Sequence, residues 1–193
     1  SDVCSSDLFG ELAWRAPAAP RVVMVIGGGE RALAWARRLF SGEIDFAAWG
    51  EVTALFGRAF PAFPEIAARA AELGVTARQG LPSQELANVL AGASVALITG
   101  GMALYECMAL GVPSVVFPQL RNLEAEAAWF AAHDCALDLG YDGGMDLSRV
   151  TTQVTALLTD HAMAARLSRN ARGVIDGQGL GRAAARSEEH TSE

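Results

Sequence analysis

Short apolar runs alternate with amphipathic stretches along most of this chain. Arg21-Val22-Val23-Met24-Val25-Ile26 is a β-branched run that ends in Gly27-Gly28-Gly29, and Glu30 to Phe40 then takes up a helical period. Ile44 to Trp49 reads as a second, weaker strand. Pro64 to Leu73 is Ala-rich and helical, Gly74 stops it, and Val75 to Gln79 is a short strand. Ser83 is the expected N-cap of a helix over Gln84 to Ala91. A strand over Ser94 to Thr99, a helix over Ala103 to Leu110 with Gly111 as its C-cap, and a strand over Ser114 to Phe117 follow. Asn122 to His133 is helical, Cys135 to Leu139 is a last strand, Ser148 caps a helix to Thr159, and Ala162 to Ile175 forms another. Gly50 to Pro64 is the least readable stretch. The rhythm predicts an α/β fold: a doubly wound, Rossmann-like parallel sheet with strands apolar on both faces. Ligands of such sheets gather at the carboxyl ends of the strands, where both glycine turns fall.

The two ends do not follow this pattern. Ser1–Leu8 and Arg186–Glu193 can be encoded by strings that are nearly reverse complements, and both resemble a sequencing-library adapter. They are expected to be translated adapter and are set aside, so Cys4 and His190 carry no function. Residues 9–20 are then a linker remnant and 21–185 one domain with a full-sized core. The tails hold five acids against Arg186, so the formal charge of −7 moves towards neutral without them. No basic field for nucleic acid remains.

All fifteen basic residues are Arg. The absence of Lys excludes a Walker A lysine, a Schiff-base lysine and a pyridoxal-phosphate anchor. Cys107 and Cys135 lack the CxxC and Cys/His spacings of a zinc site and read as buried structural thiols in a reduced, cytoplasmic setting. No apolar run reaches the roughly 18–20 residues of a membrane span.

The most informative stretch is Ala93 to Pro118. A buried strand runs into Gly100-Gly101, a short helix carries one acid, Glu106, and Gly111-Val112-Pro113 leads into a second buried strand. The turn leaves N–H groups free at a helix start, where the dipole favours an anion. Glu106 lies six residues past the first glycine, roughly 8–9 Å along a helix axis. A diphosphate and the adjoining ribose hydroxyls span a similar distance. Gly27-Gly28-Gly29 alone is weaker. With Ala32 it fits a loose GxGxxA form, and Glu51 stands near the spacing of a ribose ligand, which keeps a dinucleotide (NAD or FAD) reading open.

Thr99-Gly100-Gly101, Glu106, Gly111-Val112-Pro113 and Ser114 to Pro118 resemble, in order and spacing, the donor-binding signature of GT-B-fold enzymes that act on UDP-sugars. The resemblance is to the glycosyltransferase family 28 C-terminal domain and to the UDP-sugar hydrolase of pseudaminic acid synthesis with its spore-coat polysaccharide relatives. Asn122 and the closing run Leu167 to Gly179, with its Asp176-Gly177 turn, look most like the hydrolase group. It implies one half of a GT-B fold that breaks the sugar–diphosphate C–O bond. UDP would lie on Gly100, Gly101, Met102, Ala103, Glu106 and Leu81, the last in a Gly80-Leu81-Pro82 turn near uracil. Gly27, Gly28 and Asn122 would line the sugar and acceptor side. The catalytic base would come from an N-terminal domain of the same protein that this chain lacks, so the chain alone would bind but not turn over. No Asp-x-Asp is present, so no metal clamp is implied and no cofactor beyond the nucleotide-sugar itself.

Three departures accompany the match. Met102 and Ala103 replace the usual Ser or Thr hydroxyls, Gly29 replaces a Ser, and Leu123 replaces a Gln. Hydrolysis is the reading drawn from Asn122 and the tail. Hexosyl transfer of the family 28 type and a non-catalytic Rossmann-like binding domain are the alternatives. His133, His161, the Glu124/Glu126 pair and Asp142-Gly143-Gly144 are expected to have no catalytic part.

Overall fold

The computed structural model describes residues 9, 12–141, 146–179 and 182; both adapter-like tails and Asp142-Gly143-Gly144 lie outside these. Six parallel strands form one sheet in the order β3-β2-β1-β4-β5-β6. They are β1 (Arg21–Ile26), β2 (Glu51–Phe56), β3 (Val75–Gln79), β4 (Val95–Ile98), β5 (Ser114–Val116) and β6 (Leu137–Asp138). The helices are α1 (Glu30–Leu39), α2 (Phe63–Glu72), α3 (Ser83–Ala91), α4 (Met102–Leu110), α5 (Glu124–Ala132), α6 (Leu147–Thr159) and α7 (His161–Val174).

Alternate residues of each strand feed two separate cores. Val22, Met24 and Ile26 join Val52, Leu97 and Val115 beneath α1, α2 and α6. Val23 joins Ala96, Ile98 and Val116 beneath α3, α4 and α5 on the other face. This explains the absence of polar alternation in β4, whose four residues are all buried. The order reverses between β1 and β4, because the chain leaves β3 at one edge and re-enters beside β1. That is the switch point where two successive crossovers diverge and leave a crevice.

The doubly wound reading holds, with one strand displaced. Ile44 to Trp49 is not a strand. Phe46–Trp49 forms a 3₁₀ turn capped by the Asp45 carboxylate, which accepts from the Ala47 N–H. Its aromatic rings plug the core instead, with Phe46 against Phe40 at 5.8 Å and edge-on to Trp49 at 5.4 Å. Gly50, at φ +82°, turns the chain into β2. Two caps also differ. Pro82 rather than Ser83 sits at the α3 N-cap, and Asp146 rather than Ser148 caps α6, accepting from the N–H groups of Ser148 and Arg149.

The segment before β1 docks against the sheet. Trp14 donates its indole N–H to the Ala93 carbonyl at 2.6 Å and its backbone N–H to Leu110 at 2.9 Å. At its other end, Pro20 O lies only 2.5 Å from where a Cβ on Gly50 would stand. Among the described residues, no helix is long and apolar enough to cross a membrane.

Candidate functional site

The carboxyl end of β4 runs through Thr99 into Gly100 and Gly101, at φ +87° and +68°. Only glycine holds such geometry without strain. The turn delivers the chain into α4, and Leu104 N–H bonds back to the Gly101 carbonyl at 3.0 Å. Among the described residues, the N–H groups of Gly101, Met102 and Ala103 have no acceptor. Three donors at the positive end of a nine-residue helix are therefore free for an anion. The replacement of Ser/Thr hydroxyls by Met102 and Ala103 leaves this backbone set intact. Met102 is itself 69% exposed, so its side chain does not fill the space in front of the turn.

Glu106 lies on α4, about 7.5 Å along the axis from Gly101. It is half-buried, and no hydrogen bond or ion pair engages its carboxylate among the described residues. Burial alone pushes its carboxyl above the ordinary carboxylate value. This contrasts with seven other acids of the described residues. Glu51, Glu43, Glu65, Glu72, Glu85, Asp134 and Asp176 are all paired with arginines. An unpaired, partly desolvated carboxylate is costly, and its neighbour Cys107 is fully buried with its thiol pushed up to about 12.

The other predicted site residues fall on the same end of the sheet. Gly27 follows β1, and a Cβ there would meet Thr99 Oγ1 at 4.0 Å, so the ends of β1 and β4 adjoin. Gly28 backs onto Ala59 and Gly57, whose added Cβ would come within 3.2 Å of Gly28 N. Asn122 is exposed on a 3₁₀ turn, Arg121–Leu123, just before α5. The next residue, Leu123, packs on Gly100, 3.4 Å from where a Cβ would stand. Leu123, the residue that departs from the Gln of the resemblance, thus covers the glycine turn with an apolar group. Leu81 is half-buried against the apolar cluster that contains Leu104. It follows β3, three strand spacings or roughly 14 Å from the end of β4.

Glu51 is corrected. It opens β2 at the amino end of the sheet and pairs with Arg21 at 3.1 Å. Since cofactor ribose ligands stand at strand carboxyl ends, the dinucleotide reading loses its acid. His133 stacks on Trp129 with ring centroids 3.8 Å apart, and Glu126 hydrogen-bonds Tyr105. Two open grooves, of about 530 Å³ beside Trp14 and Leu157 and about 270 Å³ beside Thr53 and Asn88, lie towards the amino ends of the strands, away from the glycine turns.

Sequence reasoning missed Gln79. Its side-chain amide donates to the carbonyls of Gly57, Arg58 and Phe60 at 3.0–3.3 Å and so fixes the loop after β2. It also missed Arg31, which reaches the Gln119 carbonyl at 3.1 Å and the Tyr141 hydroxyl at 3.4 Å. A polar residue ending a strand was the one available signal for the first, and an arginine in the opening turn of a helix for the second.

No protein-family model matches the chain. The spore coat polysaccharide biosynthesis protein SpsG of Bacillus subtilis (strain 168) is 29% identical over 98 residues, 51% of this chain and 29% of that protein. Among solved structures, the glycotransferase of kitacinnamycin is 27% identical, with a TM-score of 0.62 over 93% of this chain and 46% of that one. The spinosyn rhamnosyltransferase SpnG complexed with thymidine diphosphate is 20% identical, with a TM-score of 0.55 over 92% of this chain and 47% of that one. The chain therefore has the fold of one half of a GT-B glycosyltransferase, and it spans about half the length of these solved neighbours. The names describe glycosyl transfer and polysaccharide biosynthesis, and none describes hydrolysis. Sugar transfer, the alternative at the level of sequence, is thus better supported than the hydrolase reading.

Proposed function

We propose that this chain is the donor-binding half of a nucleotide-sugar-dependent glycosyltransferase. The observation that carries the reading is Glu106, a half-buried carboxylate with no partner among the described residues, set about 7.5 Å beyond three free N–H groups on one short helix. The N–H groups of Gly101, Met102 and Ala103 take the diphosphate, and Glu106 accepts from the two ribose hydroxyls. Leu81 and the Gly80 turn lie on the base side. Gly27, Gly28 and Asn122 border the sugar and the acceptor. As the C–O bond breaks, negative charge grows on the departing diphosphate, and the free N–H groups and helix dipole stabilise it more than the ground state. The bond pair goes to the diphosphate oxygen, and an acceptor hydroxyl attacks the sugar carbon. The base that takes its proton comes from a further domain, as does the wall that excludes water. No metal is required, because backbone donors supply the counter-charge.

Titration calorimetry of the chain with UDP and with thymidine diphosphate tests this reading. Binding of either nucleotide is expected, and it is expected to weaken in Glu106→Ala. Absence of heat with both would remove the nucleotide-sugar reading and leave a non-catalytic domain of the same fold.

A further inference from the structure

Seven arginines of the described residues pair with carboxylates, and Arg31 and Arg121 are not among them. Both stand at the carboxyl ends of the strands, Arg31 after β1 and Arg121 after β5. Both converge on Tyr141, which follows β6. Arg31 Nη1 reaches the Tyr141 hydroxyl at 3.4 Å, and the Arg121 guanidinium carbon lies 5.1 Å from the centre of its ring. Glu30 and Glu124 are the nearest acids along the chain, and neither bonds to these guanidinium groups.

The helix dipole does not account for this placement. Arg31 lies in the first turn of α1 and Arg121 just before α5, ends at which the helix dipole opposes a cation. Arg37 and Arg38 in the last turn of α1, Arg69 in that of α2 and Arg172 in that of α7 follow the dipole, while Arg149, in the first turn of α6, opposes it as Arg31 and Arg121 do. A third feature marks the same spot. Gln119, whose carbonyl anchors Arg31, is 8% exposed, and its side-chain Nε2 is buried without an acceptor. Among the described residues, an unmet donor and two guanidinium groups without a paired carboxylate thus collect beside the sugar side of the cleft. Guanidinium groups are weakly hydrated and match the two oxygens of an oxyacid.

We infer that Arg31 and Arg121, held against Tyr141, form a second anion subsite, which takes a carboxylate or phosphate carried by the substrate beyond its diphosphate. The inference rests on the nucleotide-sugar reading and narrows it to an acidic sugar, on the donor or on the acceptor.

The test uses the ¹⁵N-labelled 193-residue chain, with the arginine Nε–Hε signals followed during titration with inorganic phosphate and with glucuronate, without nucleotide. Saturable shifts are expected at Arg31 and Arg121 and not at the exposed Arg169. They should vanish in the Arg31→Gln/Arg121→Gln double variant, whose exposed positions tolerate the change. Shifts at Arg31 and Arg121 no larger than those at Arg169 would overturn the subsite.

Calorimetry with UDP-glucose and UDP-glucuronate, which differ only in the sugar carboxylate, locates the anion. A donor anion gives UDP-glucuronate about a tenfold advantage that the double variant abolishes. Equal affinities, with saturable shifts from glycerol 3-phosphate, place it on the acceptor. Saturable anion shifts with no UDP-sugar binding would overturn the nucleotide reading and leave the subsite standing.

Discussion

Glu106→Gln should move stability and affinity in opposite directions. The carboxylate is half-buried without a partner among the described residues, so it burdens the free fold, and on the proposed reading a ribose satisfies it. An unmade bond by a charged group that water still reaches costs about 1 kcal/mol, the low end of the range. At about 2–4 °C per kcal/mol for a domain of this size, the glutamine variant melts roughly 2–4 °C higher at pH 7. The sign with pH follows from the direction of the shift. Burial raises the folded-state value above the ordinary 4.5, so the fold holds the Glu106 proton more tightly than the unfolded chain does. The wild-type site is therefore at its most stable in acid, and it loses that stability as pH rises through the raised value. The gain in the glutamine variant should be absent below the ordinary value and complete at neutral pH. Binding goes the other way. Replacing charged by neutral acceptors loses about 1–1.5 kcal/mol for each of two ribose hydroxyls, which is about 30- to 150-fold in Kd for UDP. Thermal melts from pH 4 to 8 and calorimetry with UDP read both arms. A variant that melts lower at pH 7 would show that Glu106 has a structural partner, and unchanged UDP affinity would remove its ribose role.

Three further outcomes are expected. Gly101→Ala meets no atom within 4 Å but forces a side chain onto φ +68° and ψ −146°; the loss should be about 1–3 kcal/mol, all conformational, read by denaturant unfolding, and a neutral effect would show that the turn has another shape. Cys107 is fully buried with its thiol pushed up to about 12, so iodoacetamide at pH 8 should leave it unmodified in the folded protein and alkylate it in denaturant, as peptide mass mapping would show. Trp14→Phe keeps the ring but loses the 2.6 Å bond to Ala93, and should cost about 1 kcal/mol in urea unfolding; no cost would mean that the segment before β1 is not docked in solution.

Legibility in the sequence tracked the range of the forces involved. The run from Val95 to Val116 was readable because its signals are local: buried β-branched strands, glycines where φ is positive, and a helix stop at Gly111. Glu106 stood out as a lone acid among apolar neighbours, and among the described residues it is a half-buried acid without a hydrogen bond or ion pair. Ile44 to Trp49 misled because its apolar spacing mimics a strand, while its aromatic rings turn into the core against Phe40 and the inward face of the sheet rather than joining a ladder. That shift moved Glu51 from the end of a strand to the beginning of one. Trp14 and Arg31 were invisible for another reason: their partners stand 79, 88 and 110 positions away, and no window of sequence brings them together.

Gly111 ends α4 in the left-handed region, and a Cβ there would strike the Arg172 stem of α7 at 2.8 Å. Helix α7 therefore seats directly on the terminus of α4 opposite the free N–H groups. A nine-residue helix is a rod of about 13–14 Å, too short to bend appreciably. Displacing its base by half an ångström displaces its tip by a comparable amount. Helix α7 thus acts as a set screw for the three free N–H groups at the other end of α4, and its packing surface tolerates less variation than its distance from them would suggest.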